Sequence, residues 1–258
     1  MKKAVFFDLD GTLWDENDTI PDSTKEAVRL LKENGVYVFI CTGRCGAYIS
    51  SSELEALQFD GMITGCGTYV KYNDQVFTYK KISADEVQKV VDVFTKYDIP
   101  VFLEGLNRYY LEKSDYERIP FLGSLLNDVG ENLVGIRDHA PNWEVSKFAA
   151  FACNEHTDDA IAELSDIFDI YVHGGIMIEG IPKGYSKTAG IQLVCEKLGL
   201  ESTYAFGDSP NDAEMLRFVD HGIAMGNGLK EAKDAAEYVT TSLHEDGIFK
   251  ACKYYGLI

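Results

Sequence analysis

Two carboxylates end the first apolar run of the chain, Lys3-Ala4-Val5-Phe6-Phe7-Asp8-Leu9-Asp10-Gly11-Thr12-Leu13. A run of this kind reads as a strand buried on both faces, the form taken in a parallel sheet. Period-two alternation sends Asp8 and Asp10 to the same side of that strand. Two acids side by side repel unless a cation stands between them, and the carboxyl ends of strands in an open α/β sheet are where ligands bind. The pair points to a metal ion, to a reaction, or to both. Taken alone, Asp-x-Asp-Gly is also an ordinary turn, so the chemical reading needs support from elsewhere in the chain.

Three later segments supply matching chemistry. A second buried strand, Val36-Tyr37-Val38-Phe39-Ile40-Cys41, ends in Thr42-Gly43-Arg44. A hydroxyl at a strand end ahead of a helix start either binds an anion or caps the helix. Lys187 stands where a helical pattern begins, in Gly184-Tyr185-Ser186-Lys187-Thr188. Lysines there are commonly solvated, but a pocket of carboxylates needs a fixed ammonium. A further apolar strand, Tyr204-Ala205-Phe206, runs into Gly207-Asp208-Ser209-Pro210-Asn211-Asp212. Asp208 brings a third carboxylate to the same edge, with Asn211 and Asp212 one helical turn on. Two patterns imitate nucleotide sites and fail. Gly65-Cys66-Gly67 opens like a dinucleotide fingerprint but is followed by strand-like alternation, and Lys183-Gly184-Tyr185-Ser186-Lys187-Thr188 lacks the glycine that directly precedes the Lys-Thr pair of a phosphate loop.

These groups meet only if their strands are neighbours, and the chain is patterned for that. After the first strand comes a polar excursion from Trp14 to Pro21, then an amphipathic helix from Ser23 to Asn34 closed by Gly35. The second strand, a helix and a short strand over Gly61 to Thr64 come after it. Residues Thr68 to Phe77 alternate about Asn73-Asp74, a hairpin signal. Ser83-Ala84-Asp85-Glu86 is a capping-box pattern that opens another amphipathic helix. Short strands and helices come next, among them Glu144 to Cys153 and a helical stretch after Thr157. Buried strand–helix alternation resumes at Gly184 and runs to Ile258. No repeat or low-complexity tract interrupts it.

Composition narrows the function. The 258 residues are 46% hydrophobic and 12% aromatic, ample for a packed core in one large or two modest domains. A net charge of −18 argues against nucleic acid or an anionic membrane as partner. A phosphate would have to be drawn in locally, by a metal and a lysine. The six cysteines show no Cys-x-x-Cys pair and the five histidines no ligand-spaced cluster, which disfavours structural zinc. With no signal-peptide pattern and no apolar run of spanning length, the expectation is a cytoplasmic enzyme with reduced thiols and no obligate protein partner.

The ordered set Asp8-Leu9-Asp10-Gly11-Thr12-Leu13, Thr42-Gly43-Arg44, Lys187 and Gly207-Asp208-Ser209-Pro210-Asn211-Asp212 resembles the haloacid-dehalogenase (HAD) superfamily of phosphohydrolases. Within it the chain is similar to the Cof-type group, with its large class IIB cap, and so to bacterial sugar-phosphate phosphatases. Ala224-Met225-Gly226-Asn227, Lys230-Glu231-Ala232, Ala236-Glu237-Tyr238-Val239-Thr240 and Glu245-Asp246-Gly247-Ile248 extend the likeness. It spans the chain, strongly at both ends and in outline between. The resemblance implies an α/β fold: a Rossmann-like, doubly wound parallel-sheet core over 1–82 and 184–258, with an inserted α+β cap domain over 83–183. It implies that Asp8 is the nucleophile, forming an aspartyl-phosphate. Asp10 would protonate the leaving alcohol and then activate water. Mg2+ would sit on Asp8, the backbone carbonyl of Asp10 and Asp208. Thr42, Gly43 and Lys187 would hold phosphoryl oxygens, Asn211 would either start a helix or touch the phosphate side, and Asp212 would orient Lys187 or a metal-bound water. Asp10 also argues against dehalogenation, since the dehalogenases lack that acid.

For substrate, the resemblance suggests a small phosphorylated metabolite, foremost a hexose or pentose phosphate; phosphorylated cofactors such as pyridoxal phosphate or FMN fit the same group. Glu179 is the foremost candidate for a substrate-hydroxyl contact, ahead of His173, Glu104 and Arg108. One departure stands out: Cof-type proteins usually show Asn-Gly after the third strand, and here Cys66-Gly67 stands instead, a weaker hydrogen-bonding pair. Cys66 reads as a small buried residue rather than a reactive thiol. A sugar phosphomutase, or a non-catalytic phosphometabolite-binding protein, would share most of these residues.

Overall fold

Each apolar run becomes a strand, and the order in which they pair decides which carboxylates meet. The computed structural model describes residues 1–46, 49, 52–119, 129–151, 153–173 and 175–258. Its strands are β1 (Lys3–Phe7), β2 (Tyr37–Cys41), β3 (Gly61–Thr64), β4 (Tyr69–Tyr72), β5 (Gln75–Tyr79), β6 (Val101–Glu104), β7 (Tyr109–Tyr110), β8 (Leu133–Val134), β9 (Lys147–Phe151), β10 (Phe168–His173), β11 (Met177–Pro182), β12 (Ser202–Gly207), β13 (His221–Ala224) and β14 (Tyr238–Val239). The chain divides into two compact units: Met1–Gly43, Ser51–Thr78 and Ser186–Ile258 form the first, and Arg44–Ser50 with Tyr79–Tyr185 the second.

The first unit is built on an eight-stranded sheet in the order β14-β13-β12-β1-β2-β3-β4-β5. The strands from β14 to β3 run parallel, and β4 returns antiparallel to β3. Winding reverses at β1, with β2 on one side and β12 on the other, so the Rossmann-like doubly wound core is present. That reversal places the ends of β1, β2 and β12 at one switch point. β1 is central because its residues from Ala4 to Phe7 are wholly buried. Phe6 stacks on Phe39 at 5.3 Å and Phe7 on Phe206 at 5.1 Å, registering β1 against both neighbours. Burying each such ring contributes about 2–3 kcal/mol. The first helix spans Asp22–Glu33 and is entered through Pro21. It turns its Ala27, Val28 and Leu31 inward and stops at Gly35, whose φ of +73° a side chain would strain.

The polar excursion is anchored at both ends: Trp14 is 2% exposed and Ile20 1%. The hairpin over Tyr69–Tyr79 turns at Asn73, which takes the left-handed conformation at φ 48°.

The second unit holds a six-stranded sheet in the order β10-β11-β9-β6-β7-β8. Its pairs are antiparallel except β7 with β8. The helix Ala84–Lys96 opens with the capping box of Ser83 and Glu86. It buries Val87, Val90, Val93 and Phe94 against one face of the sheet, with Leu103, Phe148 and Ile178. Alternation puts Phe102, Ala149 and Phe151 on the other face, packed with Tyr109, Leu111 and Cys45. Among the described residues no helix is long and apolar enough to cross a membrane.

Candidate active site

The first unit gathers its acids just past the strand ends. β1 stops at Phe7, although the Asp8 N–H still reaches the Phe206 carbonyl at 3.0 Å. The chain then turns, so alternation does not carry on to Asp10. Asp8 is buried and Asp10 is exposed, yet the Asp10 charge still acts on both Asp8 and Asp208. The turn needs Gly11: its φ is +73°, and a Cβ there would lie 2.5 Å from Asp208 Oδ2.

Lys187 is the centre of the cluster. It opens the helix Lys187–Leu198, whose start is capped by the Ser186 hydroxyl accepting from Ala189 N–H at 3.1 Å. Far from being solvated, Lys187 is 3% exposed. Its Nζ donates to Asp8 Oδ1 at 2.6 Å and to Asp212 Oδ1 at 2.7 Å. Burial opposes its charge, but Asp212 and Asp8 outweigh burial and hold the ammonium well above its usual pKa. Burial and the Asp212 charge push Asp8 well above the carboxylate range, against the pull of Lys187. Burial, with Asp212 beside it, moves Asp208 up to about 6.

Asp212 is wholly buried and spends its second oxygen on the backbone. Oδ2 accepts from the N–H of Asp208 and of Ser209, each at 3.0 Å, and from the Ser209 hydroxyl at 3.1 Å. This locks the turn that carries Asp208 and aims Oδ1 at Lys187. Asp208 in turn accepts from the Thr12 hydroxyl at 3.2 Å. Carboxylate oxygens of Asp8, Asp208 and Asp212 all lie within 4.8 Å of one another. Hard oxygen donors at that spacing suit a small divalent cation.

Other expected residues fall around this cluster. Thr42 is 1% exposed, its backbone braced by bonds to Ile63 and Cys66, and Gly43 follows it. The next described helix begins only at Ser52, and residues 47, 48, 50 and 51 lie outside the described residues, so a helix start beside Thr42 is not described. Asn211 is exposed in a short turn, its side-chain oxygen accepting from the Ser209 hydroxyl at 2.5 Å. Arg44 and Glu179 belong to the second unit. There Glu179 is buried, accepts from Lys147, and has its Oε2 3.2 Å from His173 Nε2. Cys66 is buried, between Gly65 and Gly67, and all three have positive φ. Asparagine tolerates that conformation better than cysteine does. The Asn usual in Cof-type proteins therefore has a backbone reason as well as a hydrogen-bonding one.

Three supporting residues escape a reading for catalytic groups. Thr12 braces Asp208, the Trp14 indole donates to Asp10 Oδ1 at 3.1 Å, and Asn227 ties the loops together. Asn227 donates to the Gly11 carbonyl at 2.8 Å and accepts from Leu243 N–H at 2.9 Å. Thr12 and Asn227 each lie in a stretch that carries the family likeness, Asp8-Leu9-Asp10-Gly11-Thr12-Leu13 and Ala224-Met225-Gly226-Asn227, whereas Trp14 has no such signal.

Comparison with known proteins places the family and the fold. Residues 5–252 match the model of the haloacid dehalogenase-like hydrolase family. A 5-amino-6-(5-phospho-D-ribitylamino)uracil phosphatase of Bacillus subtilis, YitU, is 30% identical over 268 residues, covering 97% of this chain and 96% of its own. The HAD subclass IIB sugar phosphatase BT4131 superposes with a TM-score of 0.84 at 31% identity, over the full length of both chains. A protein from Geobacillus kaustophilus HTA426 superposes with a TM-score of 0.85, again at 31% identity and over both full lengths.

Proposed function

Because the chain belongs to the haloacid dehalogenase-like hydrolases and is a phosphatase of that family, we propose that it hydrolyses small phosphorylated metabolites, foremost sugar phosphates, with Mg2+ and through an aspartyl-phosphate on Asp8. The observation that carries this reading is Lys187 joining buried Asp8 and Asp212 at the switch point of the sheet. Phosphoryl transfer asks mainly for positioning and for neutralised charge on the phosphoryl oxygens. Lys187 supplies fixed positive charge and aligns the Asp8 carboxylate for attack on phosphorus. Thr42 and Gly43, at the end of β2, offer donors to the remaining phosphoryl oxygens, and Asn211 is a further candidate contact.

The donor set fits a divalent metal. Three carboxylates within 4.8 Å of each other exceed the charge of Lys187, which bonds two of them, Asp8 and Asp212. Asp8, Asp208 and the Asp10 carbonyl would hold the ion, leaving Asp212 to orient Lys187 and the Asp208 turn. When bound, Mg2+ neutralises charge on the transferring phosphoryl group. Asp10, exposed and outside the carboxylate triad, serves as the acid and base.

Glu179 of the second unit is the candidate for recognising substrate hydroxyls. Though burial disfavours its charge, Lys147 and His173 hold its carboxyl well below the usual range, and a persistent carboxylate is a strong acceptor. The relatives differ in substrate, a ribitylaminouracil phosphate for one and sugar phosphate for another. A panel of hexose, pentose and ribityl phosphates with pyridoxal phosphate and FMN, assayed with Mg2+ and with chelator, ranks the substrates. Asp8→Asn should lower phosphate release at least about a thousandfold. Transfer of phosphate between positions of a sugar, without free phosphate, would favour the phosphomutase instead.

A further inference from the structure

The loop after the first strand is bent back on itself. The Leu9 carbonyl accepts from the N–H groups of Thr12 at 3.2 Å, Leu13 at 2.9 Å and Trp14 at 3.2 Å, while Gly11 N–H donates to the Trp14 carbonyl at 3.0 Å. Asp10 and Trp14 are thereby paired in an isolated parallel bridge. The indole meets the carboxylate across that bridge, with Nε1 donating to Asp10 Oδ1 at 3.1 Å.

The two partners sit in opposite environments. Trp14 is 2% exposed, whereas Asp10 is exposed. An exposed, short carboxylate ordinarily samples several rotamers. A packed indole does not, and its N–H, one donor with no acceptor, needs a partner when buried. An aliphatic side chain would serve packing here but would offer no hydrogen to Asp10.

We propose that Trp14 is a positioning residue, whose indole N–H fixes the Asp10 carboxyl group in the orientation from which it transfers protons. The inference rests on the phosphatase mechanism above. In the first half-reaction an Asp8 oxygen bonds to phosphorus, the bond from phosphorus to the ester oxygen breaks, and the Asp10 proton passes to the departing alkoxide. In the second, water attacks phosphorus and returns a proton to Asp10, while the Asp8–phosphorus bond breaks and inorganic phosphate leaves. The cost of a loosened Asp10 depends on the leaving group. A basic alkoxide needs the proton as it departs; p-nitrophenolate leaves without one.

Trp14→Phe keeps an aromatic ring and removes the donor. The readout is kcat/KM, which covers the steps through departure of the leaving group, for a hexose 6-phosphate and for p-nitrophenyl phosphate with Mg2+ present. The expected result is a fall of about tenfold for the alkyl ester and under about twofold for the aryl ester. Placed on top of Asp10→Asn, Trp14→Phe should add no further loss for the alkyl ester. Equal losses for both esters, or no loss for either, would overturn the inference and leave Trp14 a packing residue. If Trp14→Phe folds poorly, benzothienylalanine at the same position, which exchanges the N–H for sulfur within the same bicycle, gives the same readout. Wild-type protein that turns over neither ester would count against the proposed mechanism itself, and the inference would fall with it.

Discussion

Each unit buries a lysine between carboxylates, yet the two clusters have different foundations. In the first unit Lys187, Asp8 and Asp212 meet beyond the ends of parallel strands, where loop N–H groups are available to hold Asp212. In the second unit Lys147 lies between Glu104, at 3.5 Å, and Glu179, on the face of an antiparallel sheet. Those three come from adjacent strands, with Glu104 directly opposite Lys147 in register. The first cluster adds a third carboxylate, Asp208, and so presents more negative charge than its lysine cancels. What sets the first cluster apart is its place beyond strand ends, the backbone donors that hold Asp212, and the third carboxylate.

Removing each lysine separates the two roles. Lys187→Met and Lys147→Met each leave buried carboxylates without their cation, which costs about 3–5 kcal/mol of stability. Denaturant titration should show similar losses for both. Hydrolysis of p-nitrophenyl phosphate, measured where both variants are folded, should fall by at least about a thousandfold for Lys187→Met and under about tenfold for Lys147→Met. Comparable losses of activity would erase the distinction.

Acidity sharpens it further. Burial and the nearby Glu179 push the Glu104 carboxyl up to about 7 despite Lys147, because Lys147 and His173 favour charge on Glu179. With its folded-state pKa raised, Glu104 keeps its proton in the fold across the window from about 4.5 to 7, so its contribution to stability declines as pH rises through that window. Glu179 has the opposite sign: its contribution is present above the ordinary carboxylate pKa and is lost as pH falls. Glu104→Gln should therefore gain stability relative to the wild type between pH 5 and pH 8, on the order of 1–3 kcal/mol. Melting curves at the two pH values test this, and a constant difference would refute the assignment.

The smallest expected effect concerns the turn after β3. Cys66→Asn places a residue better suited to φ 53°, and should raise the unfolding free energy by up to about 1 kcal/mol with phosphate release retained. A large loss of turnover would mean that the thiol takes part in the chemistry.

The legible parts were those where residue type and position coincide. Asp8, Asp208 and Lys187 stand at strand ends or a helix start, which hydrophobic patterning locates well. The Gly61–Thr64 strand and the Ser83 capping box were readable for the same reason. The unequal burial of Asp8 and Asp10 was not legible, because alternation describes a strand and Asp10 lies in a loop closed on the Leu9 carbonyl. Trp14 was read as part of a polar excursion, since nothing local reveals that its ring is buried. In the second unit Lys147 passed unnoticed inside an apolar strand, and Glu104 and Glu179 were singled out only as separate residues.

The sequence by itself determined which residues are candidates for chemistry, because strand-end acids, a helix-start lysine and their order along the chain are local properties. It also determined the parallel core, through runs of apolar residues that only a doubly covered sheet can bury. Tertiary structure alone decided which acid Lys187 binds, which one faces solvent, and what braces each of them. Those choices depend on contacts between segments as much as 179 and 196 residues apart, and on a turn whose direction no periodicity encodes.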